Sequence, residues 1–259
     1  MGVRVVVDSS SGISEELAQE LDITVLNLHV MEDEEASTSG LSALELAAAY
    51  ARQLERGGDD GIVALHLSKR LSSTWSAAVS ASAVFDDAVH VVDTDSAGMA
   101  VGAAAIAAAS FARAGADLDG CAAAAEGVLA SSETWLYLRQ LDDMRKSGRL
   151  SATTAMLSAA LLATKPILRV NDGKLELAIK TRTQSKAFTK LVAHVVEKAN
   201  DRPVFAAVQY RTDEESASAL AEMLEDELAD GSSVHLFPLT EVVAAHTGEG
   251  AIGLSVYYP

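Results

Sequence analysis

Hydroxyl side chains crowd the ends of apolar runs in the first hundred residues. Asp8-Ser9-Ser10-Ser11, Ser37-Thr38-Ser39, Ser68 with Ser72-Ser73-Thr74, and Asp93-Thr94-Asp95-Ser96 each follow a β-rich stretch. Small hydroxyls beside the amides that open a helix donate to oxyanions, so the pattern suits a carboxylate or a phosphate. Helix capping by itself also places Ser, Thr and Asp after strands, and it accounts for any one of these turns. Four of them at one rim of a sheet predict a receptor for a small anion. Neither GxGxxG nor GxxxxGKS/T accompanies them, which disfavours a nucleotide.

Six histidines are candidate catalysts: His29, His66, His90, His194, His235 and His246. His66 and His90 fall in strand patterns and His194 in a helix pattern, positions that favour packing. His246, in AAHTGEGAIG, ends a helix-like run beside two glycines. It reads either as a site residue or as a cation favoured by the helix dipole. A nucleophile elbow GxSxG is absent, as are HExxH, paired histidines at i, i+4 and an aspartate-rich loop. Serine-hydrolase and metal chemistry therefore have little support from motifs, and no cofactor is expected.

The elements that must position these residues alternate. Strands are predicted at Val3–Val7, Ile23–Leu28, Gly61–Leu65 and Ala88–Val92, and helices at Ser14–Glu20, Ser42–Glu55 and Leu71–Val84. Two Ala-rich helices then end near Ala130. This rhythm predicts an α/β fold with a mostly parallel, doubly wound sheet, whose ligands sit beyond the carboxyl ends of the strands. After a strand at Thr134–Leu138, the basic stretch RQLDDMRKSGRLS and a helix over Ser151–Ala163, the grammar changes. Pro166–Val170 and Lys174–Ile179 flank Asn171-Asp172-Gly173, a hairpin signal. Helices at Ser185–Ala199 and Asp213–Leu228, with strands at Pro203–Val208, Val234–Pro238 and Gly253–Tyr258, complete an α+β half. The domain boundary is expected near Leu150, giving an α/β domain over 1–150 and an α+β domain over 151–259.

With 259 residues, 49% of them hydrophobic, the chain can bury a large core. The lone Cys121 and an amino terminus without a secretory pattern predict a reducing, cytoplasmic setting. Ala97–Ala112 is too short and too Ala-rich to span a bilayer and reads as a buried helix, so no stable membrane insertion is expected. The net charge of −17 argues against nucleic acid. Its distribution is uneven: Arg139 to Lys190 holds 11 Lys or Arg against 4 Asp or Glu, a local +7 that leaves −24 elsewhere. Such an island faces an anion or an acidic partner, or is a solvated helix face.

In order and spacing the motifs resemble those of the DegV family, over nearly the whole chain. Val7-Asp8-Ser9-Ser10 is similar to its Asp-Ser opening, and Thr38-Ser39-Gly40-Leu41-Ser42 stands in place of its Thr-Ser-Gln-Pro-Ser turn. Leu67-Ser68-Lys69-Arg70-Leu71-Ser72-Ser73-Thr74-Trp75 resembles its third motif. Val92-Asp93-Thr94 with Gly98 and Gly102, Lys146-Ser147-Gly148-Arg149-Leu150, Lys165-Pro166-Ile167-Leu168, Gly173, Lys180, Arg182 and His246-Thr247-Gly248-Glu249-Gly250 complete the set. Gly40-Leu41, Ser73 and Glu249 depart from the family pattern, and Glu249 adds a negative charge to the last motif.

The resemblance implies a two-domain fold with a fatty acid in a tunnel between the domains. It implies a carboxylate held by Thr38, Ser72 and His246, with Ser39, Ser73, Thr74 and Thr247 as further ligand contacts. Ala97–Ala112 and Ala152–Ala163 would serve as tunnel wall or as ordinary core. The implied role is a carrier, not itself an enzyme, that presents one long-chain fatty acid to an ATP-dependent fatty acid kinase and then holds the acyl phosphate. Arg149, Lys180 and Arg182 would bind the phosphate or dock the kinase. Rival readings are a hydrolase or acyltransferase with Ser72 as nucleophile and His246 as base, and a lipid-sensing regulator.

Overall fold

Runs of Val, Ile and Leu bounded by polar turns become buried parallel strands when helices cover both faces. This is the arrangement of the first half in the computed structural model, which describes residues 2–31, 37–157 and 164–259. Strands β1 (Arg4–Asp8), β2 (Ile23–Leu26), β5 (Ile62–His66) and β6 (Val89–Asp93) form a four-stranded sheet in the order β2-β1-β5-β6, with every pairing parallel. Consecutive residues Val5, Val6 and Val7, and all of β5, are buried, as a sheet covered on both sides requires. Between them lie α1 (Glu15–Glu20), α2 (Ala43–Gly57) and α3 (Thr74–Ser82); α4 (Met99–Arg113) and α5 (Leu118–Ala130) follow. Ser42 starts α2 with a capping box shared with Glu45. The expected buried Ala-rich helix is α4, in which Ala104, Ala105 and Ala108 have no exposure. Among the described residues, no helix is long and apolar enough to cross a membrane.

Ser37-Thr38-Ser39 corrects one expectation. Instead of a turn at the rim of the parallel sheet, it is strand β4 (Ser37–Ser39), paired antiparallel with β3 (His29–Met31) in a two-stranded ribbon. Thr38 lies opposite Val30. Both strands are only three residues long and largely exposed, so neither carries a buried period-two pattern.

The second half is built on a six-stranded mixed sheet in the order β11-β10-β12-β7-β8-β9. Its elements are β7 (Ser132–Tyr137), α6 (Asp142–Ser147), α7 (Ala152–Leu157), β8 (Lys165–Asn171), β9 (Lys174–Thr181), α8 (Gln184–Ala199), β10 (Phe205–Tyr210), α9 (Glu214–Glu227), β11 (Ser233–Pro238), α10 (Glu241–Thr247) and β12 (Ile252–Tyr257). Asp172 and Gly173 take φ of 45° and 72° and turn β8 into β9, as the Asn-Asp-Gly signal predicts. Phe188, Leu191 and Val195 of α8 and Leu220 and Leu224 of α9 pack on Ile167, Val208 and Leu254. Of the helix expected over Ser151–Ala163, α7 is described and 158–163 lies outside the described residues.

The chain divides into units 1–130 and 131–259, ahead of the expected boundary near Leu150. The cause is β7. Its edges are hydrogen-bonded to β12 and β8, so Ser132–Tyr137 belongs to the second sheet although it follows directly on α5.

Candidate functional site

In the first unit the rim is organised by Asp8, a 1% exposed carboxylate at the end of β1. Its Oδ1 accepts the Ser10 amide (3.0 Å) and hydroxyl (2.5 Å). Its Oδ2 accepts the Leu67 amide (2.9 Å) and lies 3.2 Å from His66 Nδ1. Burial opposes the charge on Asp8, yet the bonds and charge of His66, with those of Ser10 and Leu67, outweigh it and hold the carboxyl below its ordinary value. His66 Nε2 meets the Tyr50 hydroxyl at 2.9 Å, so both ring nitrogens of this fully buried histidine are engaged.

The neighbouring turns are tied to this hub. Ser9 Oγ accepts the Leu28 amide (3.1 Å), the Thr94 hydroxyl donates to the His66 carbonyl (2.6 Å), and the Ser68 amide donates to the Ser96 carbonyl (2.8 Å). Asp93 is paired with Lys69. Much of the hydroxyl crowding is thus the means by which the turns hold one another, as capping-type chemistry predicts.

The turn before α3 differs. Its carbonyl at Ser68 accepts the Leu71 (2.9 Å) and Ser72 (3.1 Å) amides, which brings Ser72 to the helix start. Ser72 Oγ accepts the Thr74 amide (3.2 Å) and lies 2.9 Å from Thr74 Oγ1, which itself accepts the Leu41 amide (3.3 Å). Ser73, the residue just before α3, makes no side-chain cap. A partly exposed hydroxyl, Ser72 Oγ, therefore stands at the start of α3 beside a Ser73 side chain that caps no amide, a suitable place for an anion. Gly40 is required here. A Cβ on it would come within 2.7 Å of Thr74 Oγ1, 3.0 Å of Ser73 Oγ and 3.2 Å of Ser72 Oγ. The departure from the family pattern at Gly40 thus makes room for three hydroxyls.

In the second unit, His246 occupies the last turn of α10, and Gly248 ends that helix with φ 73°. Burial and then the charge of Arg149 push the imidazole down to about 4, so the helix dipole does not prevail and the ring is neutral at pH 7. Next to it, Thr247 is 2% exposed and its Oγ1 finds no hydrogen-bond partner among the described residues. Arg149 follows the left-handed Gly148 that closes α6, and its guanidinium donates to the Ser147 carbonyl.

Arg149, Lys180 and Arg182, expected to bind the phosphate or dock the kinase, are spread along the backbone. Leu150 bridges Leu175 at the start of β9, whereas Lys180 and Arg182 lie at its far end, roughly 15 Å along the strand. Glu249 lines a polar cavity of about 540 Å³ with Arg139, Lys165, Gln184, Thr212 and Asp213. Its charge is therefore accompanied by two cations that the sequence reading did not connect with it. Gly250 packs under Arg139, where a Cβ would meet Arg139 Cδ at 2.9 Å, and its amide donates to Thr212 Oγ1 (3.1 Å).

The remaining histidines have structural partners. His29 faces Glu45 at 2.8 Å, His90 faces Glu126 at 3.5 Å, and His235 lies between the tilted rings of Phe205 and Phe237. His194 joins Lys198 and Arg169 around the buried Glu133, at 3.1, 2.9 and 3.3 Å. Among the described residues, no group of three or more His, Cys, Asp or Glu could hold a metal ion.

Asp8 is the residue whose importance the spacing alone does not reveal, whereas Thr74, expected as a ligand contact, is buried and bonded to Ser72 and to the Leu41 amide. The signal for Asp8 was an acid at the end of a buried strand, which implies a partner elsewhere in the fold.

A DegV domain-containing protein of Corynebacterium glutamicum is 56% identical over 260 residues, covering 100% of this chain and 94% of that protein. The crystal structure of a DegV family protein from the same organism superposes with a TM-score of 0.97 at 56% identity, covering 100% of this chain and 98% of the other. A DegV family protein of Thermus thermophilus, described for its fatty acid binding, matches with a TM-score of 0.90 at 26% identity over 100% of both chains. DegV of Bacillus subtilis, a fatty acid binding protein, matches with a TM-score of 0.87 at 25% identity, also over 100% of both. The model of the family described as "Uncharacterised protein, DegV family" matches residues 31–259, and with this agreement of motif, fold and sequence the chain belongs to the DegV family.

Proposed function

We propose that this protein binds one long-chain fatty acid, its carboxylate held by Thr38, Ser72 and His246, and presents that carboxylate to an ATP-dependent fatty acid kinase. The observation that carries the reading is the neutral, half-buried imidazole of His246 beside Arg149, in a chain whose Thermus and Bacillus relatives bind fatty acids. A neutral imidazole donates one hydrogen bond to a carboxylate, and a nearby guanidinium favours the negative charge. The Thr247 hydroxyl, which has no hydrogen-bond partner among the described residues, supports the same assignment, since a buried donor gains most from a ligand oxygen. The acyl chain supplies affinity: at about 0.8 kcal/mol per buried CH₂, a long chain gains roughly 10 kcal/mol before ordering costs.

Transfer of the γ-phosphoryl group from ATP to a carboxylate oxygen would yield an acyl phosphate and ADP, with the kinase supplying the catalysis. Arg149, beside His246, is the residue suited to the new phosphate, because a guanidinium matches phosphate oxygens. Lys180 and Arg182, exposed at the other end of β9, suit docking of the kinase. No cofactor is invoked. The low basicity of His246 weighs against the hydrolase reading, since a general base works best with a pKa near the working pH.

The test is solvent extraction of freshly purified protein with mass spectrometry of the lipid. About one fatty acid per chain is expected, lost in the Thr38→Ala, Ser72→Ala double variant. A protein that carries none and takes up no added long-chain acid defeats the reading, and ester turnover abolished by Ser72→Ala favours the hydrolase. A protein that binds fatty acid yet leaves a fatty acid kinase unstimulated points to a lipid-sensing regulator.

A further inference from the structure

The hydroxyl pair at the start of α3 can be resolved by counting hydrogens. Thr74 has no exposure, and its Oγ1 already accepts the Leu41 amide (3.3 Å). Ser72 is partly exposed, and its Oγ already accepts the Thr74 amide (3.2 Å). One hydrogen lies between the two oxygens, 2.9 Å apart, and the other is left over. If Ser72 donated to Thr74, the leftover hydrogen would be the Thr74 hydroxyl's, buried and without an acceptor among the described residues, at a cost of about 1–3 kcal/mol. If Thr74 donates to Ser72, the leftover hydrogen is that of Ser72, at the accessible end of the pair. Gly40 holds the arrangement tight, because any side chain there would enter within 2.7 Å of Thr74 Oγ1.

From this pairing we infer that Thr74 is a positioning residue: it receives Leu41 N–H, donates to Ser72 Oγ, and so commits the Ser72 hydroxyl to donate outward to an anionic head group. The relay rests on the fatty-acid reading above and deepens it. Thr74 does not touch the ligand itself. Its consequence is specificity for ligands that accept without needing to donate. An ionised carboxylate gains a charge-assisted bond from Ser72, whereas a primary alcohol of equal chain length gains a weaker neutral one.

Equilibrium binding of hexadecanoic acid and of hexadecanol to the delipidated full-length protein tests the relay, with Thr74→Val and Thr74→Ser compared to wild type. Valine keeps the shape and removes the hydroxyl, so acid affinity should fall about tenfold while alcohol affinity changes less than about twofold. Serine should restore acid binding to within about twofold. Equal losses for acid and alcohol, an unaffected Thr74→Val, or a Thr74→Ser as poor as valine would overturn the relay. A wild-type protein that takes up neither ligand overturns the fatty-acid reading instead. A second measurement needs no variant. In wild type, the Thr74 amide proton should shift downfield more with bound acid than with bound alcohol, because Ser72 Oγ becomes a better acceptor when it donates to an anion. Identical shifts would overturn the relay.

Discussion

Two regions, the Asp8 hub of the first unit and the His246–Thr247 turn of the second, treat their polar residues in opposite ways. In the first, Asp8, Ser10, His66, Tyr50 and the Leu67 amide satisfy one another inside the fold. In the second, His246 is held neutral beside a cation and the adjoining Thr247 hydroxyl has no partner among the described residues. A satisfied network contributes stability and shape, whereas an unsatisfied group contributes to binding only when a ligand completes it. The first unit therefore holds Ser72 in place, and the second keeps His246 responsive to charge.

The comparison is broken most directly at Asp8. Asp8→Ala leaves His66 Nδ1 and two backbone amides unpaired in the interior, and it should lower unfolding stability by about 3–5 kcal/mol in chemical denaturation. A loss under about 1 kcal/mol would mean that the hub does not stabilise the rim. By contrast, His246→Ala should leave stability nearly unchanged and weaken fatty-acid binding by about tenfold to a hundredfold in a titration. Reversed effects at these two positions would remove the distinction between the units.

A pH experiment sharpens it. The folded pKa of His246 lies at about 4, below the ordinary 6.5, so between these values the unfolded chain binds more protons than the native one. Its contribution thus makes stability fall as pH drops from about 6.5 toward about 4. Arg149→Gln removes one cause of the depression, and NMR titration should show the His246 pKa rise. The asymmetry with Asp8 is informative. A carboxyl held below its ordinary 3.8 contributes stability above that value, and it is lost only as pH falls lower still. The smallest effect is expected for Thr247→Val, which removes a buried hydroxyl that finds no acceptor among the described residues. Stability should change by less than about 1 kcal/mol while binding weakens; a large destabilisation would show that Thr247 has a structural partner.

Long periodic elements were legible in the sequence. Ser14 and Ser42 open α1 and α2 as side-chain caps, and Asn171-Asp172-Gly173 makes its hairpin. What escaped notice was either short or non-local. Strands β3 and β4 are three residues each, too short to show alternation, so the sequence pattern places Thr38 in a turn. Asp8 and His66 are 58 positions apart, so spacing gives no hint that they touch. Ser72 was visible as a site candidate from its type and place, but Thr74 resembled it equally well. Only the burial of Thr74 and its bond from Leu41 separate the two roles.

By itself the sequence determined the alternation of strands and helices, the hydroxyl-rich rim after the strands, the basic island and the family to which the motifs belong. These follow from local periodicity, turn chemistry and residue order, which neighbours along the chain specify. The tertiary structure decided that β7 joins the second sheet, that His246 is neutral, and that Thr74 faces inward while Ser72 remains accessible. Each depends on burial and on contacts between distant positions, and those exist only after the chain has folded.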